Sequence, residues 1–131
     1  MFKKNTKVIE EDLHRTYSDL KVFRFGNKLY QPLKNVLQAY SIFRPDLGYV
    51  QGMSYVAASI ILHYGNEFDT FMLFANMLNR EQQLFNFYSF DMDKVNVVYN
   101  IFMRLMREKL PRMHENFRQT GLSSKAGVAL A

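Results

Sequence analysis

Nowhere in this sequence do apolar and polar residues alternate strictly, as they must along a half-buried strand, whereas apolar residues recur at steps of three and four over long stretches. Leu29, Leu33, Val36, Leu37, Tyr40 and Phe43 trace one such stripe. Pro32 falls where only a first helical turn tolerates it, and the helix must end before Pro45. The segment Met53 to Tyr64 is apolar nearly all round, which marks a helix enclosed by neighbours, and Gly65-Asn66 terminates it. Phe68 to Leu78 has the same character through Phe71, Met72, Phe74, Ala75 and Met77. It is expected to be core, together with the patch Leu84, Phe85, Phe87 and Tyr88. Val95, Val98, Ile101, Phe102, Leu105 and Met106 predict a longer amphipathic helix capped by Asp91, and Pro111 opens another that ends near Gly121. A short helix is predicted over residues 6–14, opened by Asn5 or Thr6, with Glu10, Glu11 and Asp12 favouring its first turns and fraying near Arg15. From Thr16 to Lys28 the periodicity is lost, which predicts a loop pinned by Phe23 and Phe25. The expected fold is all-α, a multi-helix arrangement with no sheet.

A chain of 131 residues that is 48% apolar fits one domain with a real core. The net charge of +5 is spread along the chain, which permits an acidic partner or a membrane surface. It lacks the concentrated Lys/Arg run of a nucleic-acid footprint, so no nucleic acid is expected as partner. The absence of cysteine excludes disulfides, thiolate metal sites and cysteine nucleophiles, and a reducing, cytoplasmic location is the simplest. The residues after Met1 are charged where a signal peptide needs an apolar core. The longest apolar stretch falls short of the roughly 20 residues of a membrane span. Residues 123–131 are small and carry no aromatic anchor, so a mobile tail, not native to the domain, is expected there.

Several chemistries fail on spacing. His14, His63 and His114 are far apart and belong to no H-E-x-x-H pattern, and no metal site is expected. Asp91-Met92-Asp93 precedes an apolar-periodic segment and reads as a helix cap before it reads as a metal motif. Gly52-Met53-Ser54 lacks the second glycine of a nucleophile elbow, and no glycine loop cradles phosphate. Two stretches remain. In Ile9-Glu10-Glu11-Asp12-Leu13-His14-Arg15, Asp12 and Glu11 lie three and four residues before Arg15, so either could hold its guanidinium on a helix, and a plain solvated ion pair has the same spacing. In Arg44-Pro45-Asp46-Leu47-Gly48-Tyr49-Val50-Gln51-Gly52-Met53, Pro45 and Gly48 make a turn, Gly52 leaves room for a close approach, and Gln51 is presented where a loop enters a helix.

Taken together these residues resemble a known family. Ile9, Asp12 and Arg15 match the I-x-x-D-x-x-R motif, and Tyr49, Gln51 and Gly52 match the Y-x-Q-G motif, of the TBC-domain GTPase-activating proteins that act on Rab GTPases. The resemblance extends from about Val8 to about Leu122. It implies an all-helical domain, not itself an enzyme, that lends groups to a GTP-bound Rab-family small GTPase. Arg15 would be the arginine finger and Gln51 the glutamine finger; Ile9, Asp12, Tyr49 and Gly52 would position them. GTP and Mg²⁺ would be bound by the Rab, leaving this chain with no cofactor. A cytoplasmic protein recruited peripherally to endomembranes in vesicle traffic is implied.

The family pattern continues into further helices where this sequence turns to Ser, Ala and Gly after Leu122. Residues 1–122 are therefore expected to be the N-terminal portion of such a domain, truncated at its C-terminus. The alternative to an activator is an inactive, helical Rab-binding or regulatory module, on which the basic residues Arg104, Arg107, Lys109 and Arg112 would contact an acidic partner or lipid.

Overall fold

In a computed structural model, which describes residues 2–79 and 83–121, the described residues form helices and no strand. Two compact units are present, Met1–Gln82 and Gln83–Ala131. The expected mobile tail at 123–131 lies outside the described residues.

The first unit holds α1 (Phe2–Arg15), a short 3-10 turn (Ser18–Leu20), α2 (Tyr30–Phe43), α3 (Met53–Tyr64) and α4 (Glu67–Met77). Helix α1 packs on α2 and α3, and α4 packs on the same two helices. Ile9 and Leu13 of α1 meet a core built from Leu33, Leu37 and Tyr40 of α2, Met53, Ala57, Ala58 and Ile61 of α3, and Phe74 and Leu78 at the end of α4. Tyr40 and Phe74 meet edge to face at 4.9 Å. Ala57 and Ala58, both fully buried, let neighbouring helices approach. Pro32 sits in the first turn of α2, as its missing N–H requires. Gly65 closes α3 at φ +75°, and the Asn66 side chain accepts from the Asp69 N–H to open α4.

Expectations for α1, the loop after it and α4 change in this unit. Helix α1 starts at Phe2, so Glu10, Glu11 and Asp12 fall in its later turns, where the macrodipole gives carboxylates no help. They are held instead by cations: Lys34 Nζ donates to Glu10 Oε1 at 2.6 Å, and Arg15 pairs with Asp12. The helix ends at Arg15, as expected, and the Thr16 N–H and hydroxyl both donate to the Asp12 carbonyl there. In the following loop Phe23 is buried, but Phe25 is exposed and only edges against Tyr30. Helix α4 is apolar all round yet buries a single stripe, Thr70, Phe74 and Leu78, spaced four apart. Phe68 is 73% exposed and Met72 and Met77 are exposed too, since α2 and α3 cover only one side of the helix.

The second unit consists of α5 (Gln83–Tyr88), α6 (Met92–Lys109) and α7 (Pro111–Gln119). The Asp91 side chain accepts from the Lys94 N–H and pairs with its ammonium at 3.1 Å, which makes it the cap of α6. Pro111 occupies the first turn of α7. Leu84, Phe85, Phe87 and Tyr88 are half-buried, not core. On α6 only Val95 and Met106 are buried; Ile101, Phe102 and Leu105 of the predicted stripe are exposed.

Candidate functional site

Both motifs meet at one carboxylate. Asp12, one turn from the end of α1, has no solvent exposure. Its Oδ1 accepts from Arg15 Nε at 2.8 Å and from Arg15 Nη2. Its Oδ2 accepts from the Tyr49 hydroxyl at 2.6 Å and from the Gly52 N–H at 2.9 Å. One oxygen therefore serves the helix that carries Arg15, and the other serves the turn that carries Gln51. Ile9, one turn earlier on α1, is fully buried and fixes the rotation of the helix about its axis.

Electrostatics agree with this geometry. Burial pushes the Asp12 carboxyl up, but the bonds from Tyr49, Gly52 and Arg15 outweigh it and hold the group below its ordinary 3.8. The group is therefore ionised at neutral pH. Burial, reinforced by the bond to Asp12, pushes the Tyr49 phenol well above its ordinary range, so Tyr49 stays a donor. The Arg15 side chain is 51% exposed: Nε and Nη2 are bound to Asp12, and Nη1 has no acceptor among the described residues. This is not a solvated surface pair, because one partner is enclosed.

Gln51 is exposed at the entry to α3, its neutral amide able to donate and accept. Gly52 is the residue before α3 and sits at φ +92°. A Cβ there would meet nothing within 4 Å, so within this chain it is the left-handed backbone that calls for glycine. The preceding turn is fixed by Arg44, whose Nε and Nη2 donate to Asp46 at 2.9 and 2.8 Å, and by the Gly48 N–H donating to the Arg44 carbonyl.

Sequence reasoning missed Thr16, Ser54 and Tyr55. Thr16 Oγ1 lies 2.7 Å from Ser54 Oγ, and the Tyr55 hydroxyl donates to the Arg15 carbonyl at 2.8 Å. All three adjoin the recognised motifs, but their partners are about 40 residues away and no spacing announces them. Among the described residues no three His, Asp or Glu side chains converge on a metal position, and no helix is long and apolar enough to cross a membrane. Arg104, Arg107, Lys109 and Arg112 are exposed. Arg104 donates to Glu108 and, with Arg107, Asn100, Met103 and His114, lines a shallow cavity of about 210 Å³.

Comparison with known proteins agrees with the motifs. The chain is 34% identical over 118 residues to TBC1 domain family member 14 of Rattus norvegicus, covering 90% of this chain and 17% of that protein. It is 37% identical over 117 residues to TBC1 domain family member 12 of Xenopus tropicalis, covering 89% and 17%. It is 31% identical over 121 residues to Drainin of Dictyostelium discoideum, covering 92% and 27%. The chain thus spans about a sixth of the length of the first two relatives. The profile of the Rab-GTPase-TBC domain matches residues 2–128, nearly the whole sequence. On that match, together with the relatives, the chain belongs to the Rab-GTPase-TBC domain family.

Proposed function

We propose that this chain accelerates GTP hydrolysis by a Rab-family GTPase, lending Arg15 and Gln51 to the partner's active site. The observation that carries this reading is the Asp12 carboxylate, which binds the Arg15 guanidinium through one oxygen and the Tyr49–Gly52 turn through the other. Hydrolysis of GTP passes through a loose transition state with charge spread over phosphoryl oxygens. The half-exposed Arg15 guanidinium supplies hydrogens to that charge, while the bond from Nε to Asp12 sets its plane. Arginine fingers contribute about 10³ to 10⁵ in rate, or about 4 to 7 kcal/mol. The Gln51 amide accepts from the attacking water and donates to its acceptor, orienting it without itself titrating. Asp12 and Tyr49 touch neither reactant; they are positioning residues. The chain needs no cofactor of its own, because GTP and Mg²⁺ belong to the Rab. On this reading it works in the cytoplasm and is drawn to the endomembranes where its partner resides.

Single-turnover hydrolysis across a panel of GTP-loaded Rabs tests this, with the chain, its Arg15→Ala and Gln51→Ala variants, and a C-terminally longer stretch of the domain run side by side. Stimulation that disappears in either variant is the expected result. Unchanged stimulation in both would remove the finger assignment. GTP-dependent association with no faster turnover would identify a binding module instead.

A further inference from the structure

We propose that Tyr55 is a positioning residue for Arg15, a hydroxyl latch on the end of the helix that carries the guanidinium; this rests on the function proposed above. Arg15 is the last residue of α1, and the final carbonyls of a helix have no partner within it. Thr16 takes up the Asp12 carbonyl, and the Arg15 carbonyl receives the Tyr55 hydroxyl at 2.8 Å from α3. Arg15 is thus held twice: by its side chain on Asp12 and by its backbone on Tyr55. The end of α1 is also tied to α3 one residue on, where Thr16 Oγ1 lies 2.7 Å from Ser54 Oγ, but the Tyr55 bond is the one that falls on the backbone of Arg15 itself. Tyr55 lies in the first turn of α3, four residues past Gln51, so the latch refers the arginine to the helix whose entry presents the glutamine.

The latch is itself supported. Tyr17 meets the Tyr55 ring edge to face at 5.4 Å, and its hydroxyl lies 2.7 Å from Ser59 Oγ, which donates to the Tyr55 carbonyl at 3.0 Å. Tyr17 does this from a left-handed backbone at φ +43°, a costly conformation for an aromatic residue. Core burial does not account for the arrangement, since both tyrosines are exposed, Tyr17 by 37% and Tyr55 by 38%. Its mechanical effect falls on the backbone of Arg15.

Tyr55→Phe keeps the ring contact with Tyr17 and removes one hydroxyl. With a Rab that responds to the chain, the maximal stimulated rate is expected to fall about tenfold or more, with the half-saturating concentration unchanged. The Arg15→Ala/Tyr55→Phe double variant should be no slower than Arg15→Ala alone. A wild-type rate in Tyr55→Phe, alongside loss in Arg15→Ala, would overturn the latch and leave the finger reading standing. Retained stimulation in Arg15→Ala would instead remove the finger reading. Nitrogen relaxation at Arg15 Nε in the free chain decides the latch without any GTPase: its order should drop in Tyr55→Phe, and unchanged order would overturn it.

Discussion

In α1 the apolar residues Ile9 and Leu13 are enclosed, whereas in α6 the equally periodic Ile101, Phe102 and Leu105 stand exposed. Both stripes obey the same helical spacing. They differ in what covers them: α1 has α2 and α3 across its face, while the contacts of α6 with α5 and α7 enclose only Val95 and Met106. Periodicity reports which residues share a face; it does not report whether that face is covered. The difference also bears on chemistry. A charged group set into the covered helix, Asp12, is drawn into a defined network, whereas Arg104 on α6 makes an exposed pair with Glu108, of a kind that contributes little.

The largest expected effect tests the network where the proposed function places the partner. Arg15→Ala should lower the stimulated rate at least 10³-fold, with helicity by circular dichroism unchanged, since the side chain is half exposed. Next, Asp12→Ala leaves the Tyr49 hydroxyl and the Gly52 N–H without their acceptor, and urea unfolding should show a loss of about 2 to 3 kcal/mol. A cost below about 0.5 kcal/mol would mean that the carboxylate contributes no more than a surface charge.

A smaller effect follows from pH. Because the Asp12 carboxyl is held below 3.8 in the folded chain, its contribution is complete above that value and fades as pH falls through the lower, folded one. Thermal unfolding midpoints measured from pH 7 downward should therefore drop more steeply below about pH 4 in the wild type than in Asp12→Asn. The smallest effect is expected on α6. Phe102→Glu, at a position 54% exposed, should change stability by no more than about 0.5 kcal/mol in urea unfolding. A loss above about 2 kcal/mol would show that the α6 stripe is covered in solution and would erase the contrast with α1.

The helices α2, α3, α6 and α7 were legible because their signals are local: Pro32 and Pro111 in first turns, Gly65 after a last turn, Asp91 before a first. The Asp12–Arg15 pair was legible only in part, because helical spacing allowed Asp12 or Glu11 to hold the guanidinium and the tertiary structure chose Asp12. The start of α1 was misread because Asn5 and Thr6 are residue types that favour a cap, yet both lie inside the helix. Thr16, Ser54 and Tyr55 left no trace, since a hydroxyl that meets a group some 40 residues away has no period.

By itself, then, the sequence determined an all-helical chain, the faces on which its apolar residues gather, and the two motifs that ally it with its family. Hydrogen-bonding range and side-chain period are properties of neighbouring residues, which is why those features could be read without a fold. Only the tertiary structure decided which stripes are covered, that Phe68 and Met72 face outward, and that the Asp12 carboxylate joins residues 37 and 40 positions further on. Those outcomes depend on how helices pack, and packing is settled by contacts between segments that no local pattern encodes.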